Sequence, residues 1–174
     1  LALRAKSEQL PRANTLARDA CQAGVPQGCH LVGSLLEHGD LGEKHVDKAV
    51  PYYRRACAAE WGGACNDLGL VYHQMARVAA KDPRVVRLYR KACRLKSATG
   101  CFNLAELQLQ GDGVLMSPRK AVANFTKACK ARHAVACARL ASAYLEGRGV
   151  AQDPERSRTM LTRACELGHQ DACE

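Results

Sequence analysis

No run of 18 apolar residues occurs anywhere in the 174-residue chain, which excludes a helical membrane span. The first twenty residues, LALRAKSEQLPRANTLARDA, carry charges where an export signal would need an apolar centre, so no such signal is read there. Because the chain begins at Leu1 rather than at methionine, removal of a leader or upstream segment is expected. The C-x(2 to 4)-C spacing of structural zinc and the C-x-x-C-H of haem attachment are both missing. Strand signals are missing as well. With 47% apolar and 25% charged residues, disorder and fibrous composition are excluded, and the length suits one domain or a short repeat array.

What the chain has in excess is cysteine, ten in all, and they fall on a grid. Cys21, Cys57, Cys93, Cys129 and Cys165 step by 36 residues; Cys29, Cys65, Cys101, Cys137 and Cys173 follow them at a constant offset of 8. Such a period, free of insertions, marks a repeat architecture. Bridges from Cys29 to Cys57 and onward would leave Cys21 and Cys173 over, whereas pairing at separation 8 uses all ten. The expected bridges are therefore Cys21 with Cys29, Cys57 with Cys65, Cys93 with Cys101, Cys129 with Cys137, and Cys165 with Cys173. Such a ladder persists only in an oxidising compartment. Ten buried thiols packed as small hydrophobes are the competing reading.

Each unit carries two helical patterns. Upstream of the first cysteine, alanine lies one residue before Cys, Tyr53, Tyr89, Phe125 or Leu161 four before, and Ala49, Ala121 or Ser157 eight before, which is one helix face. Arg55, Lys91, Lys127 and Arg163 in the last turn complement the helix dipole. A second helix is expected to begin near the second cysteine, with pairs such as Val32 and Gly33, Leu68 and Gly69, Leu104 and Ala105, and Leu140 and Ala141 on its inner face. Gly39, GDG at 111–113 and GRG at 147–149 stop it; Ser117-Pro118 and Asp153-Pro154 restart the chain, with Pro11 and Pro83 nearby in other units. Two places depart: MARVAAKD at 75–82 holds no glycine, and Pro51 lies a turn inside its helix, where it costs a hydrogen bond. The predicted fold is all-α: a curved, right-handed solenoid of antiparallel helix pairs, one disulfide per repeat. It forms a single repeat domain over 1–174, with full units 21–56, 57–92, 93–128 and 129–164 and partial units 1–20 and 165–174.

The 36-residue unit, with AC(x7)C, RLASAYLEGRGV and DPERSRTMLTRAC, resembles the Sel1-like repeat of the TPR-like superfamily, and its cysteine grid is similar to that of the Helicobacter cysteine-rich proteins. The likeness covers residues 10 to 174. It implies a secreted or periplasmic binding scaffold. Members of that group are also described as penicillin-binding proteins with weak β-lactamase activity, and a related protein of the mitochondrial intermembrane space assists respiratory-complex assembly.

A serine β-lactamase needs S-x-x-K together with S-D-N and K-T-G. Ser117-Pro-Arg-Lys120 matches only the first, at a helix-cap position. The histidines, at 30, 38, 45, 73, 133 and 169, are read as scattered relative to the repeat and form no H-E-x-x-H, so no metal or other cofactor is expected. Asn124-Phe-Thr126 is a glycosylation sequon inside a predicted helix. GDG and GRG lack the strand and third glycine of a nucleotide loop.

In helix-pair solenoids the helix after the second cysteine lines the concave side. Positions two, five and nine after that cysteine then face a ligand: Leu31, Ser34 and His38; Asp67, Leu70 and Gln74; Asn103, Glu106 and Gln110; Arg139, Ser142 and Glu146. Amides and carboxylates in that row suit an extended peptide, with Phe102 and Leu70 selecting side chains. Net charge +9 raises an anionic envelope surface as an alternative partner, carried by Arg84, Arg87, Arg90, Lys91, Arg119, Lys120, Arg156 and Arg158. Nucleic acid is not expected as a partner. The chain is expected to be a monomeric, non-enzymatic protein- or peptide-binding module, secreted or periplasmic, or else in the mitochondrial intermembrane space.

Overall fold

The computed structural model describes residues 2–40, 42–76 and 82–173. Among them the chain forms nine α-helices, a short 3-10 turn and no strand: α1 (Ala2–Gln22), α2 (Pro26–His38), α3 (Val46–Ala58), α4 (Gly62–Ala76), α5 (Pro83–Arg94), α6 (Ala98–Gln110), α7 (Pro118–Lys130), α8 (Ala134–Glu146), α9 (Pro154–Glu166), then the turn Gln170–Ala172. Each helix packs on the next, so helix pairs stack in chain order into an α-solenoid.

Two kinds of connection alternate. From an odd-numbered helix to the following even-numbered one, the chain turns through one residue with positive φ: Gly24, Glu60, Lys96, Arg132 and Gly168, at 85, 61, 62, 68 and 92°. The amide of the next residue then bonds back to the alanine that precedes each first cysteine, as Trp61 N–H to Ala56 O at 3.0 Å and Ser97 N–H to Ala92 O at 3.0 Å. This six-to-one bond is the Schellman closure of a helix C-terminus. Across the turn lie the bridges Cys21–Cys29, Cys57–Cys65, Cys93–Cys101, Cys129–Cys137 and Cys165–Cys173, one per repeat, with Cα separations of 4.5, 4.6, 4.4, 4.8 and 4.9 Å.

From an even helix to the next odd one the loop is longer. Gly39, Gly111 and Gly147 stop α2, α6 and α8 in the left-handed conformation, each amide bonded back to the preceding turn. In the glycine-free unit Met75 stands at that position, and α4 runs on to Ala76. Residues 77–81 of MARVAAKD lie outside the described residues. Asp82, Ser117 and Asp153 cap α5, α7 and α9, each directly ahead of a first-turn proline.

Three details differ from the sequence reading. The even helices begin three residues before the second cysteine, because the capping position falls at Val25, Trp61, Ser97 and His133. Pro11 lies inside the continuous α1 instead of starting a helix. His133 and His169 are not scattered: they share one repeat position, the residue that starts the helix or turn after the bridged loop.

The core is a seam between the pairs. Tyr53, Tyr89 and Phe125, all fully buried, press onto the preceding even helix. A Cβ on Gly33 would come within 2.6 Å of the Tyr53 ring, and one on Gly69 within 2.6 Å of Tyr89, so both tyrosines sit flat on backbone. Where the ring is Phe125, or the residue is Leu161, the facing position is Ala105 or Ala141. Burial and the nearby Glu37, whose carboxylate accepts from the Tyr53 hydroxyl at 2.5 Å, raise the Tyr53 pKa; burial raises that of Tyr89.

Candidate functional site

The even helices present their positions one, two and five after the second cysteine toward one another, and a chain of polar contacts runs from repeat to repeat. The Trp61 indole N–H donates to His30 Nδ1 at 3.1 Å. An indole can only donate, so His30 Nδ1 accepts and Nε2 faces Asp67 Oδ2 at 2.5 Å. Asn66 Nδ2 donates to the other Asp67 oxygen at 3.0 Å, and Asn66 Oδ1 accepts from Asn103 Nδ2 at 2.8 Å. One repeat on, Arg139 Nε donates to Glu106 at 3.0 Å, and Gln110 reaches the same carboxylate at 3.5 Å. The row thus links α2 to α4, α4 to α6, and α6 to α8.

Of the residues expected to face a ligand, Asp67, Asn103, Glu106 and Arg139 are brought together in this row, and part of their hydrogen-bonding capacity is spent between repeats. Ser34 and His38 lie one turn apart on α2, with His38 Nδ1 2.9 Å from Ser34 O. Leu70 is half-buried against the core and Leu31 is exposed. Gln74 and Gln110 lie exposed near the C-terminal ends of their helices. Ser142 donates to Ala138 O at 3.3 Å, and Glu146 pairs with Arg148 at 2.7 Å.

The sequence reading missed His30, Asn66 and Trp61. His30 and Asn66 stand immediately after the second cysteine, one position short of the residues singled out, and Trp61 starts its helix. The shared polar character of positions 30 and 66 was the available signal. Asn124 of the sequon is buried and donates to Gln108 at 2.8 Å, which removes it as an exposed acceptor for glycan. Ser117 Oγ accepts the Lys120 amide at 3.4 Å, the role Asp82 and Asp153 play in their units. Among the described residues no three His, Cys, Asp or Glu side chains converge as a metal site, and no helix is long and apolar enough to cross a membrane.

His133 couples this region to pH. Its Nδ1 accepts the Ala136 amide at 3.2 Å, capping α8, and its ring stacks on Phe102 with centroids 4.6 Å apart. Burial lowers its pKa below the ordinary histidine value. The neutral ring is the folded form, so the unfolded chain binds the extra proton as pH falls. The cap's stabilisation is complete above about pH 7 and is lost as pH drops through about 6.5 toward the depressed folded value. His133→Ser, which installs the cap that Ser97 supplies one repeat earlier, is expected to lose less melting temperature than the parent between pH 7.5 and 5.5. Equal losses in parallel thermal melts would refute the assignment.

Comparison with known proteins agrees with this architecture. The Sel1 repeat family model matches residues 26–60, 98–133 and 134–169, each segment an even helix with the odd helix that follows. No curated protein sequence matches the chain. Among solved structures, a Sel1 repeat protein from Oxalobacter formigenes superposes with a TM-score of 0.83 at 21% identity, over 91% of this chain and 65% of that one. A protective antigen of uropathogenic Escherichia coli with an SLR fold gives 0.79 at 22% identity, over 91% and 35%. Cysteine-rich protein B of Helicobacter pylori gives 0.59 at 28% identity, over 73% of this chain and 91% of its own. The chain therefore spans less than two thirds of the length of the first two. With the matched segments covering more than half of its residues in one continuous helical stack, the chain belongs to the Sel1 repeat family.

Proposed function

We propose that this chain is a non-enzymatic scaffold that holds an extended peptide or protein segment along its even helices, on the concave side of the solenoid. Residues 1–174 act in this reading as a single, monomeric repeat domain without a cofactor, in a secreted or periplasmic setting. Disulfides point to an oxidising compartment outside the cytoplasm, and Sel1 repeat proteins mediate protein interactions.

The observation that carries the reading is the polar row from His30 to Arg139. Cross-links between repeats hold Asp67, Asn103 and Glu106 in fixed relative positions, so a bound backbone meets preorganised amide and carboxylate groups. Half-buried Ser34 and exposed His38, Gln74, Gln110, Ser142 and Glu146 flank that row, and Leu31, Leu70 and Phe102 offer apolar contact. Panning the oxidised protein against a random peptide display library is expected to enrich a consensus. Its affinity should fall about fivefold in Asn103→Ala, a neutral hydrogen bond being worth roughly 1 kcal/mol, and about tenfold or more in Arg139→Ala, a charge-assisted one being worth roughly 1.5 kcal/mol. No enriched consensus, or a consensus indifferent to both substitutions, would sink the proposal.

A further inference from the structure

The opposite helices carry a second surface. Three clefts of about 330, 330 and 360 Å³ lie between α3 and α5, α5 and α7, and α7 and α9. They are the same site three times over. Leu68 and Tyr72, Leu104 and Gln108, and Leu140 and Tyr144 form the floors, at identical repeat positions on the even helix beneath. The rims carry two rows of cations at the 36-residue step: Arg84, Lys120 and Arg156, then Lys91, Lys127 and Arg163. No Asp or Glu lines any of the three.

The charge is concentrated there. Helices α5 and α7 hold nine Lys or Arg residues and no carboxylate, as many as the formal net charge of the whole chain. Arg84 and Arg156 are neutralised by their own helix caps, Asp82 and Asp153. Their guanidinium groups lie 4.1 Å from the Tyr72 ring centre and 5.8 Å from the Tyr144 ring centre, so the rings that meet these cations come from the neighbouring helix, while Tyr89 and Phe125 of the basic helices are buried in the core. Among the described residues no carboxylate pairs with Lys91, Lys127 or Arg163, nor with Arg90 beside them, and Lys127 donates instead to the neutral Asn124 amide oxygen at 3.3 Å. Like charges held together without carboxylates to neutralise them repel, and an anionic ligand relieves that repulsion.

We propose that this face binds an extended acidic peptide that places carboxylates on the cationic rims and apolar side chains on the floors. The apolar lining decides between polyanions: Leu68, Leu104 and Leu140 are themselves buried, but a phosphate polymer or a lipid headgroup layer has nothing to set against the half-buried Leu88, Tyr144 and Met160, whereas a peptide alternating acidic and aliphatic residues fills both. Guanidinium groups match carboxylates with paired hydrogen bonds. This surface goes beyond the even-helix reading and stands or falls separately from it.

The probe is a fluorescein-labelled peptide of five Glu-Leu-Ser units, titrated against the oxidised full chain by fluorescence anisotropy at about 50 mM salt, where exposed charge pairs are weakly screened. Replacing Lys91, Lys127 and Arg163 together with Gln is expected to weaken binding roughly thirtyfold, about threefold per exposed charge pair. The Gln-Leu-Ser peptide should not bind, and the Glu-Ser-Ser peptide should bind at least about tenfold more weakly, each buried leucine adding roughly 1.5 kcal/mol when covered. Asn103→Ala should leave the affinity unchanged, which separates this face from the polar row. Circular dichroism checks that the triple variant, altered only at helix surfaces, keeps its fold. The proposal is overturned if the probe binds no tighter than about 1 mM, if the triple variant binds as well as the parent, or if the Glu-Ser-Ser peptide, polyphosphate or phosphatidylglycerol vesicles bind as well as the leucine-bearing probe.

Discussion

Full reduction of the five bridges is expected to unfold the chain at 37 °C. Each bridge closes a loop of eight residues, worth about 2.5 kcal/mol in lost unfolded-state entropy. Even with incomplete additivity, five such terms match the roughly 5–15 kcal/mol that holds an ordinary domain together. The bridged turns also contain a cost that the sulfurs offset. Glu60, Lys96 and Arg132 occupy the left-handed region without being glycine, at about 1–2 kcal/mol each. Once the bridge is gone, the hairpin can relax by giving up that turn and with it the Schellman bond behind it. Far-UV circular dichroism on fully alkylated material should show lost helicity; a reduced chain melting cooperatively within a few degrees of the oxidised one would contradict this. Removing one bridge, as in Cys57→Ala with Cys65→Ala, should cost about 2 kcal/mol and act mainly on its own pair and immediate neighbours, because repeats touch only adjacent repeats.

Tyr89→Ala is expected to cost about 3–5 kcal/mol, the range for emptying an aromatic site in a packed core. The ring is 1% exposed and lies between α5 and the bare backbone of Gly69. The deficit falls in the middle of the stack, so the unfolding transition should broaden or split as the two ends lose their coupling. Gly69→Ala tests the same contact from the other side. It overpacks a site whose nearest ring atom is 2.6 Å from the new methyl, for a cost of about 1–3 kcal/mol. In the next repeat Ala105 faces Phe125, so Gly69→Ala combined with Tyr89→Phe should be less destabilised than the two single effects added. Strict additivity in chemical denaturation would show that ring and methyl do not meet.

The cysteine grid made the helix pairs legible, because covalent geometry and a fixed period leave few alternatives. The cap residues ahead of Pro118 and Pro154 were legible for the same reason: Ser and Asp before a first-turn proline have a single local meaning. The start of the even helices was not, since Val25 and Trp61 are no cap residues and only the Schellman closure behind them sets the boundary. Contacts between repeats were the other gap. Whether position one or position two after the cysteine meets the neighbouring repeat depends on the rotation between units, which no single unit encodes, and so His30 and Asn66 were passed over for Asp67 and Asn103. The basic helices were read correctly as basic, but the apolar floors come from a different helix, and periodicity within one segment cannot place them.

All five covalent links lie within a hairpin or its closing turn, and none joins one pair to the next. Under tension applied at its two ends, the molecule would route the load through the sulfur atoms and bypass every short segment they enclose. It would come apart as a string of clasped beads, lengthening only in the threads between them, and each clasp would keep its two helices in register for re-stacking once the pull is released.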